Sequence, residues 1–381
     1  MNHLSLGILA RSQKENERRL ALHPAHLGRI PAGLREHVFL ECGYGERFGC
    51  SDQQLAAHVA GFRTRDQLIA ECDIILQPKP VLADIAQMRP GQVVWGWPHC
   101  VQDEQLTQVA IDRSLTLIAF EAMNHWHRDG SFSLHVFHKN NELAGYCSVL
   151  HALQLTGRSG HYGRRLRAVV IGFGATARGA VTALGALGVH DIDVLTQRQT
   201  EAVAAPIHGV RMIHFEVGHA GVVSHALTED GPVPLPEFLA AADIVVNCVL
   251  QDTDAPMVFL TTADLPALSP GTLIIDVSCD EGMGFSWARP TSFAEPAFVV
   301  GDNVVYYAVD HSPSYLWNSA TWEISEAVLP FLPSVLSGPA AWDADPTIAR
   351  AIEIRNGVIL NPAILSFQSR DSKHPHWPLA T

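Results

Sequence analysis

Residues 167–198, RAVVIGFGATARGAVTALGALGVHDIDVLTQR, decide how the rest of the chain is read. Residues 168–171 form a short apolar run, the pattern of a strand buried on both faces. It meets a glycine turn, Gly172-Phe173-Gly174, with Ala177 at the third small-residue position. Small and apolar residues then predict a helix over 175–187, stopped by Gly188, and residues 192–196 predict a second strand. Strand, glycine turn, helix and strand in this order suit a dinucleotide, because the glycines let backbone amides and a helix N-terminus approach a pyrophosphate. The expected cofactor contacts are Gly172, Gly174, Ala175, Thr176 and Ala177, with Val249 and Leu250 after the later apolar run DIVVNC (243–248).

The remaining composition narrows the class. With 381 residues the chain has room for two domains, and 47% hydrophobic with 17% charged residues is ordinary for a globular protein. A formal charge of -13 argues against nucleic acid or an anionic membrane as partner. The 7 cysteines are scattered without CxxC spacing, so neither a disulfide framework nor a zinc knuckle is expected. No basic leader with an apolar core opens the chain and no run of about 18 apolar residues occurs, which makes a reducing cytoplasm the expected setting.

In the first third, apolar strands are expected over 5–10, 38–40, 74–76, 93–97 and 115–120, separated by helix-compatible segments such as 52–59 and 101–112. That alternation predicts a mostly parallel sheet, whose ligands bind outside the carboxyl ends of the strands. Next after those strands come Arg19, Lys79, His99 and Glu121, so parallel strands would gather two cations and an imidazole on one sheet edge. A bridging helix is expected from Asn140 or Asn141 to about residue 155. Further strands are expected over 243–248, 273–278 and 304–309. A long amphipathic helix should open at Ser312-Pro313, and the tail, with 352–359, should return to the first domain. The expected architecture is therefore α/β, with two doubly wound, Rossmann-like domains of mostly parallel sheet linked by long helices. Residues 1–139 plus 312–381 would form a substrate domain and 140–311 a dinucleotide-binding domain.

The segments ENERRLALHP (15–24), ECGYGERFG (41–49), LQPKP (76–80), GWPH (96–99), NNELAGY (140–146), VIGFGATARGA (170–180) and GTLIIDVSCDEG (271–282) together resemble the alanine dehydrogenase and pyridine nucleotide transhydrogenase family. Within it the chain is most similar to the N5-(carboxyethyl)ornithine synthase branch, through GW-x-H, the AGY helix start and the run from Tyr306 to Ser314. The resemblance implies that Arg19 holds a substrate carboxylate, Lys79 sits beside the carbonyl or imine, His99 is the acid/base group and Asp280 lies at the nicotinamide end. Asp276, inside its strand, rivals Asp280, and Arg18 rivals Arg19. Glu121 reads as a structural carboxylate. These residue types suit C=N or C=O reduction, which needs a cation where negative charge develops and a group titrating near neutrality. Homo-oligomers are expected by the same analogy.

Where nucleotide folds that prefer NAD place an acid for the ribose 2′-hydroxyl, this chain reads Thr196-Gln197-Arg198. With no carboxylate to repel a 2′-phosphate and Arg198 able to pair with it, NADPH is the expected cofactor over NADH. The expected reaction joins a 2-oxo acid such as pyruvate to the amine of an ornithine-like amino acid and reduces the imine, acting on a CH–NH bond. The alternatives are amination by ammonia, as in an alanine dehydrogenase, a saccharopine-dehydrogenase-type reaction, and a non-catalytic NADP sensor. His125, His127, His135 and His138 have spacings a metal could use, but Asp129-Gly130 suggests a loop or hairpin there, and no metal is expected.

Overall fold

The computed structural model describes residues 3–197, 207, 209–218 and 221–379, and its contacts divide the chain into two compact units, 1–137 with 317–381, and 138–316. The first unit opens with β1 (Leu6–Ile8), β2 (Val38–Glu41), β3 (Gly61–Arg63), β4 (Ile74–Leu76), β5 (Val93–Gly96) and β6 (Thr116–Ala119), all paired in parallel. A hairpin of β7 (Asn124–Trp126) and β8 (Phe132–His135) comes next. The second unit carries β9 (Arg167–Ile171), β10 (Asp191–Thr196), β11 (Val210–Val217), β12 (Val223–Thr228), β13 (Gly231–Pro234), β14 (Ile244–Asn247), β15 (Val258–Leu260), β16 (Leu273–Asp276), β17 (Gly284–Phe285), β18 (Ala297–Val300) and β19 (Val304–Tyr307). The chain then returns to the first unit with β20 (Ile352–Arg355) and β21 (Val358–Ile359).

The first sheet has the order β21-β20-β6-β5-β4-β1-β2-β3, with β20 antiparallel to β6. Its two faces are buried in separate cores: Ile74, Leu76, Val93 and Trp95 point to one, Ile75 and Val94 to the other. The second sheet runs β13-β12-β11-β10-β9-β14-β16-β19-β18, and the same alternation sends Ala168 and Val170 to one core and Val169 and Ile171 to the other. Because β10 lies on one side of β9 and β14 on the other, the strand order reverses at the carboxyl end of β9, where open α/β sheets bind ligands.

Several elements differ from expectation. The bridging helix begins at His138, so Asn140 and Asn141 lie inside its first turns rather than capping it. The helix expected from residue 101 starts at Glu104, where the Asp103 side chain accepts from the Leu106 N–H at 2.9 Å. The residues after Ser312 form a 3-10 turn, Ser312–Leu316, before the α-helix Trp317–Val328, and Pro330 and Pro333 break the chain beyond that helix into two short helical pieces. Unit boundaries consequently fall at 137/138 and 316/317, not at 139/140 and 311/312, and the Ser312 hydroxyl donates to the Ala144 carbonyl at 3.1 Å within the second unit. Among the described residues no helix is long and apolar enough to cross a membrane.

The helices His138–Leu155 and Ala175–Ala186 cross with backbones in direct contact. A Cβ on Gly145 would lie 1.9 Å from the Thr176 carbonyl oxygen, and one on Gly179 would lie 1.8 Å from that of Glu142. Only glycine permits such an approach, which gives the two glycine-bearing motifs, LAGY and ATARGA, one shared structural cause.

Candidate active site

Lys79, His99 and Glu121 come after β4, β5 and β6 and meet at the carboxyl edge of the first sheet. The loop after β4 crosses the end of β5 so closely that a Cβ on Gly96 would sit 1.9 Å from the Gln77 carbonyl oxygen. Backbone bonds lock the crossing, from Gln77 N–H to Trp95 O at 3.1 Å and from Trp97 N–H to Pro78 O at 2.9 Å. The Lys79 carbonyl accepts from the Ser12 hydroxyl at 2.9 Å and from the Gln77 amide at 3.2 Å. The motifs LQPKP and GWPH are thus two halves of one interlocked support.

On that support Lys79 Nζ lies 2.6 Å from His99 Nε2. At this distance one nitrogen must accept, and an ammonium at Lys79 donating to a neutral imidazole with its proton on Nδ1 is one arrangement that satisfies the contact. That nitrogen faces Glu121 Oε1 at 3.9 Å. The backbone of His99 is left-handed, with φ of 50°, and its N–H donates to Glu121 Oε1 at 2.7 Å. Glu121 therefore fixes the backbone that aims the imidazole. Its other oxygen is buried with no hydrogen-bond partner among the described residues. Burial first, then the charge of Glu353, push the Glu121 carboxyl up to about 8 against the opposing pull of Lys79. Glu353 reaches this place from β20, whose pairing skips it between Ile352↔Ile118 and Ile354↔Leu117.

Arg19 is buried at the same edge, held bidentately by Glu17, with Nε to Oε1 at 2.9 Å and Nη2 to Oε2 at 2.5 Å. Its guanidinium carbon lies 5.3 Å from the centre of the Trp97 ring, two residues before His99. Arg18 is exposed. Sequence reasoning brings Glu121 to this edge only as a structural carboxylate after the fifth expected strand, and it carries no signal for Glu353, which lies in a tail with no motif.

In the second unit Gly172 has φ of 95°, and a Cβ there would sit 3.2 Å from the Cys248 carbonyl oxygen. Gly174 opens the helix Ala175–Ala186 with no side-chain cap, leaving the first-turn N–H groups of Ala175, Thr176 and Ala177 for an anion. Val249, half-buried, donates its N–H to Asn247 Oδ1 at 3.2 Å, and Leu250 is 93% exposed. These residues share the carboxyl edge of β9 and β14. Thr196 is buried at the end of β10, while Arg198 lies outside the described residues.

At the end of β16 the rival acids separate by environment. Asp276 is fully enclosed, accepting from Tyr306 Oη at 2.6 Å, Asn247 Nδ2 at 3.0 Å and the Cys279 N–H at 3.1 Å. Burial raises its carboxyl to about 6 despite those donors. This network shapes the loop that presents Asp280, which is half-buried and raised by burial and by Asp310. His125, His127 and His135 lie in the β7–β8 hairpin, where Arg350 stacks on Trp126 at 4.1 Å and donates to the Gly130 carbonyl at 3.0 Å, while His138 opens the bridging helix. No group of three metal-ligating side chains occurs among the described residues.

Family models described as "Alanine dehydrogenase/PNT, N-terminal domain" and "Alanine dehydrogenase/PNT, C-terminal domain" match residues 7–144 and 156–362. The chain belongs to the alanine dehydrogenase/PNT family. It is 24% identical over 371 residues to an alanine dehydrogenase of Mycolicibacterium smegmatis, covering 92% of this chain and 93% of the relative. An N(5)-(carboxyethyl)ornithine synthase of Clostridium botulinum is 24% identical over 338 residues, 85% of this chain and 92% of the relative. The solved structure of an L-alanine dehydrogenase superposes with a TM-score of 0.74 at 20% identity, covering 96% of this chain and 99% of that one. A transhydrogenase from Sinorhizobium meliloti gives 0.69 at 20% identity, covering 94% and 99%. As a member of the alanine dehydrogenase/PNT family the chain is an oxidoreductase with Rossmann-like domains.

Proposed function

We propose that the chain catalyses NADPH-dependent reductive condensation of a 2-oxo acid with the amine of an amino acid. The observation that carries this reading is the Lys79–His99 pair, 2.6 Å apart on the sheet edge that also holds Arg19. In this reading residues 1–137 and 317–381 bind the oxo acid, and residues 138–316 bind the pyridine nucleotide through the Gly172–Gly174 turn and the helix start. Asp280 lies toward the nicotinamide, and the cofactor supplies hydride to the imine carbon. Lys79 donates to the carbonyl oxygen, where negative charge builds as the amine adds. Neutral His99 takes the proton lost by the attacking amine and returns one to the departing hydroxyl, so that water leaves. Arg19, anchored by Glu17, attracts the substrate carboxylate.

Reduction with ammonia, as the names of most relatives suggest, is the second reading. NADPH oxidation with pyruvate and either ammonium, ornithine or lysine separates the two: turnover with ammonium alone overturns the condensation. Preference for NADPH rests on the missing acid after Thr196. Arg198→Asp is expected to raise the KM for NADPH and leave that for NADH unchanged; equal kinetics of the unaltered enzyme with both cofactors would refute the preference. A homo-oligomer is expected, and light scattering at micromolar concentration tests it.

A further inference from the structure

A cavity of about 290 Å³ opens beside the carboxyl end of β1, within the first unit, lined by Arg11, Leu20, Tyr44, Glu46 and Arg47 among others. That volume lies just below the roughly 300–1,000 Å³ of small-molecule sites. Its charged groups form a set of two guanidiniums and one carboxylate. Arg11 pairs with Glu46 at 3.6 Å, both well exposed, and Arg47 donates to the Arg18 carbonyl at 3.1 Å. Partial desolvation, then the neighbouring charges of Arg18 and Arg11, lower the Arg47 pKa, as expected where positive charge exceeds its local compensation.

The floor is rigid. The Tyr44 hydroxyl is buried, donating to the Leu22 carbonyl at 2.7 Å and accepting from the Leu22 N–H at 3.1 Å. Glu41 accepts from the Ala10 N–H at 2.6 Å and from the Arg11 N–H at 3.3 Å, which fixes the loop carrying Arg11. One residue further on, Ser12 donates to the Lys79 carbonyl, so the same loop links the cavity to the support of the lysine.

We infer that this cavity is the subsite for the α-amino-carboxylate head of the amine substrate, with Arg11 and Arg47 on the carboxylate and Glu46 on the α-ammonium. The inference rests on the condensation proposed above, which brings two carboxylates to one enzyme and so requires two cationic sites. Lys79 and Arg19 serve the oxo acid. Arg11 and Arg47 serve the partner, and the side-chain amine of a diamino acid extends from the cavity toward Lys79. A ligand carrying both charges of an amino acid meets both signs here, whereas a simple diamine meets two repelling guanidiniums.

The test compares ornithine and lysine with 1,4-diaminobutane and 1,5-diaminopentane, which keep both amines and lack the carboxylate, in NADPH oxidation with pyruvate. The unaltered enzyme is expected to favour the amino acid by tenfold or more in kcat/KM. In the Arg11→Ala/Arg47→Ala variant the amino-acid KM should rise at least tenfold, with the pyruvate KM and diamine turnover held, which also shows that the variant is folded. Arg47→Lys should recover part of the loss. A double variant that keeps the full preference for the amino acid overturns the subsite while the condensation stands. Turnover with ammonium and with no amino acid overturns both.

Discussion

Glu121→Gln separates the two roles of this carboxyl. The amide oxygen of glutamine can still accept from the His99 N–H, now 2.7 Å from Glu121 Oε1, while the titratable charge is removed. Burial and Glu353 raise the Glu121 carboxyl from 4.5 to about 8. At about 1.4 kcal/mol per pH unit that rise corresponds to at most about 5 kcal/mol. Because Glu353 is raised too, chiefly by burial, the protons belong to the pair, and about 2–5 kcal/mol is the working range. The sign comes from linkage. A carboxyl whose folded pKa lies above its unfolded one contributes its stabilisation fully below 4.5 and loses it as pH rises through about 8. Thermal unfolding from pH 5 to 9.5 should therefore show the unaltered protein losing stability relative to Glu121→Gln, the Tm gap opening above pH 4.5 and levelling above pH 8. Tyr44 and the other buried phenols are identical in both proteins and cancel in the difference. A Tm gap of constant size across that pH range would refute the account of a buried, protonated carboxyl behind His99.

Replacing Lys79 by Ala or His99 by Asn should each lower kcat/KM by roughly 10²–10⁴ with NADPH affinity, read by fluorescence, unchanged. Gly179→Ala places a Cβ 1.8 Å from the Glu142 carbonyl oxygen and should cost more than the roughly 1–3 kcal/mol of ordinary overpacking, lowering Tm and nucleotide affinity together. Gly185→Ala, in the same helix with nothing within 4 Å of the new Cβ, should instead raise stability by about 0.5–1 kcal/mol. Tyr306→Phe removes the 2.6 Å donor to Asp276 and should cost about 1–3 kcal/mol in denaturant unfolding.

Local pattern controls the part of the fold that could be read from the sequence. Alternation along 168–171 and 244–247 places side chains on the two faces of a covered sheet, and parallel connection then forces the residues after β4, β5 and β6 to one edge. That rule alone brings Lys79, His99 and Glu121 to one edge. Helix boundaries were less legible because their determinants compete. Asn140 and Asn141 look like caps, yet the helix starts at His138 and buries Asn140, and Ser312-Pro313 opens a 3-10 turn where an α-helix was expected. The raised pKa of Glu121 was not legible because a carboxyl at a strand end says nothing about which charge lies behind it.

Glu353 and Gly179 show why part of the site has no local signature. Each acts through a partner more than thirty residues away in sequence, so neither periodicity nor turn chemistry reports it. Gly179 is small because the backbone of Glu142 occupies the space its Cβ would need, and this contact sets the seat of the helix whose first turn faces the pyrophosphate in the proposed function. Glu353 matters because β20 returns antiparallel to β6 and skips one residue at the place where the β6 strand leads to Glu121. The bulge there accompanies a glutamate that is buried to 4% exposure, on a strand paired on both sides by β21 and β6. Its second carboxyl oxygen is buried without a hydrogen-bond partner among the described residues, as is that of Glu121. Two such oxygens are costly as a pair of anions and tolerable when the pair retains a proton. With that proton in place the negative charge facing His99 and Lys79 is partly withheld. A neutral imidazole beside a charged lysine is one arrangement that satisfies the 2.6 Å contact, and withholding negative charge behind His99 favours it, whereas a fully ionised pair would favour protonation of the imidazole instead.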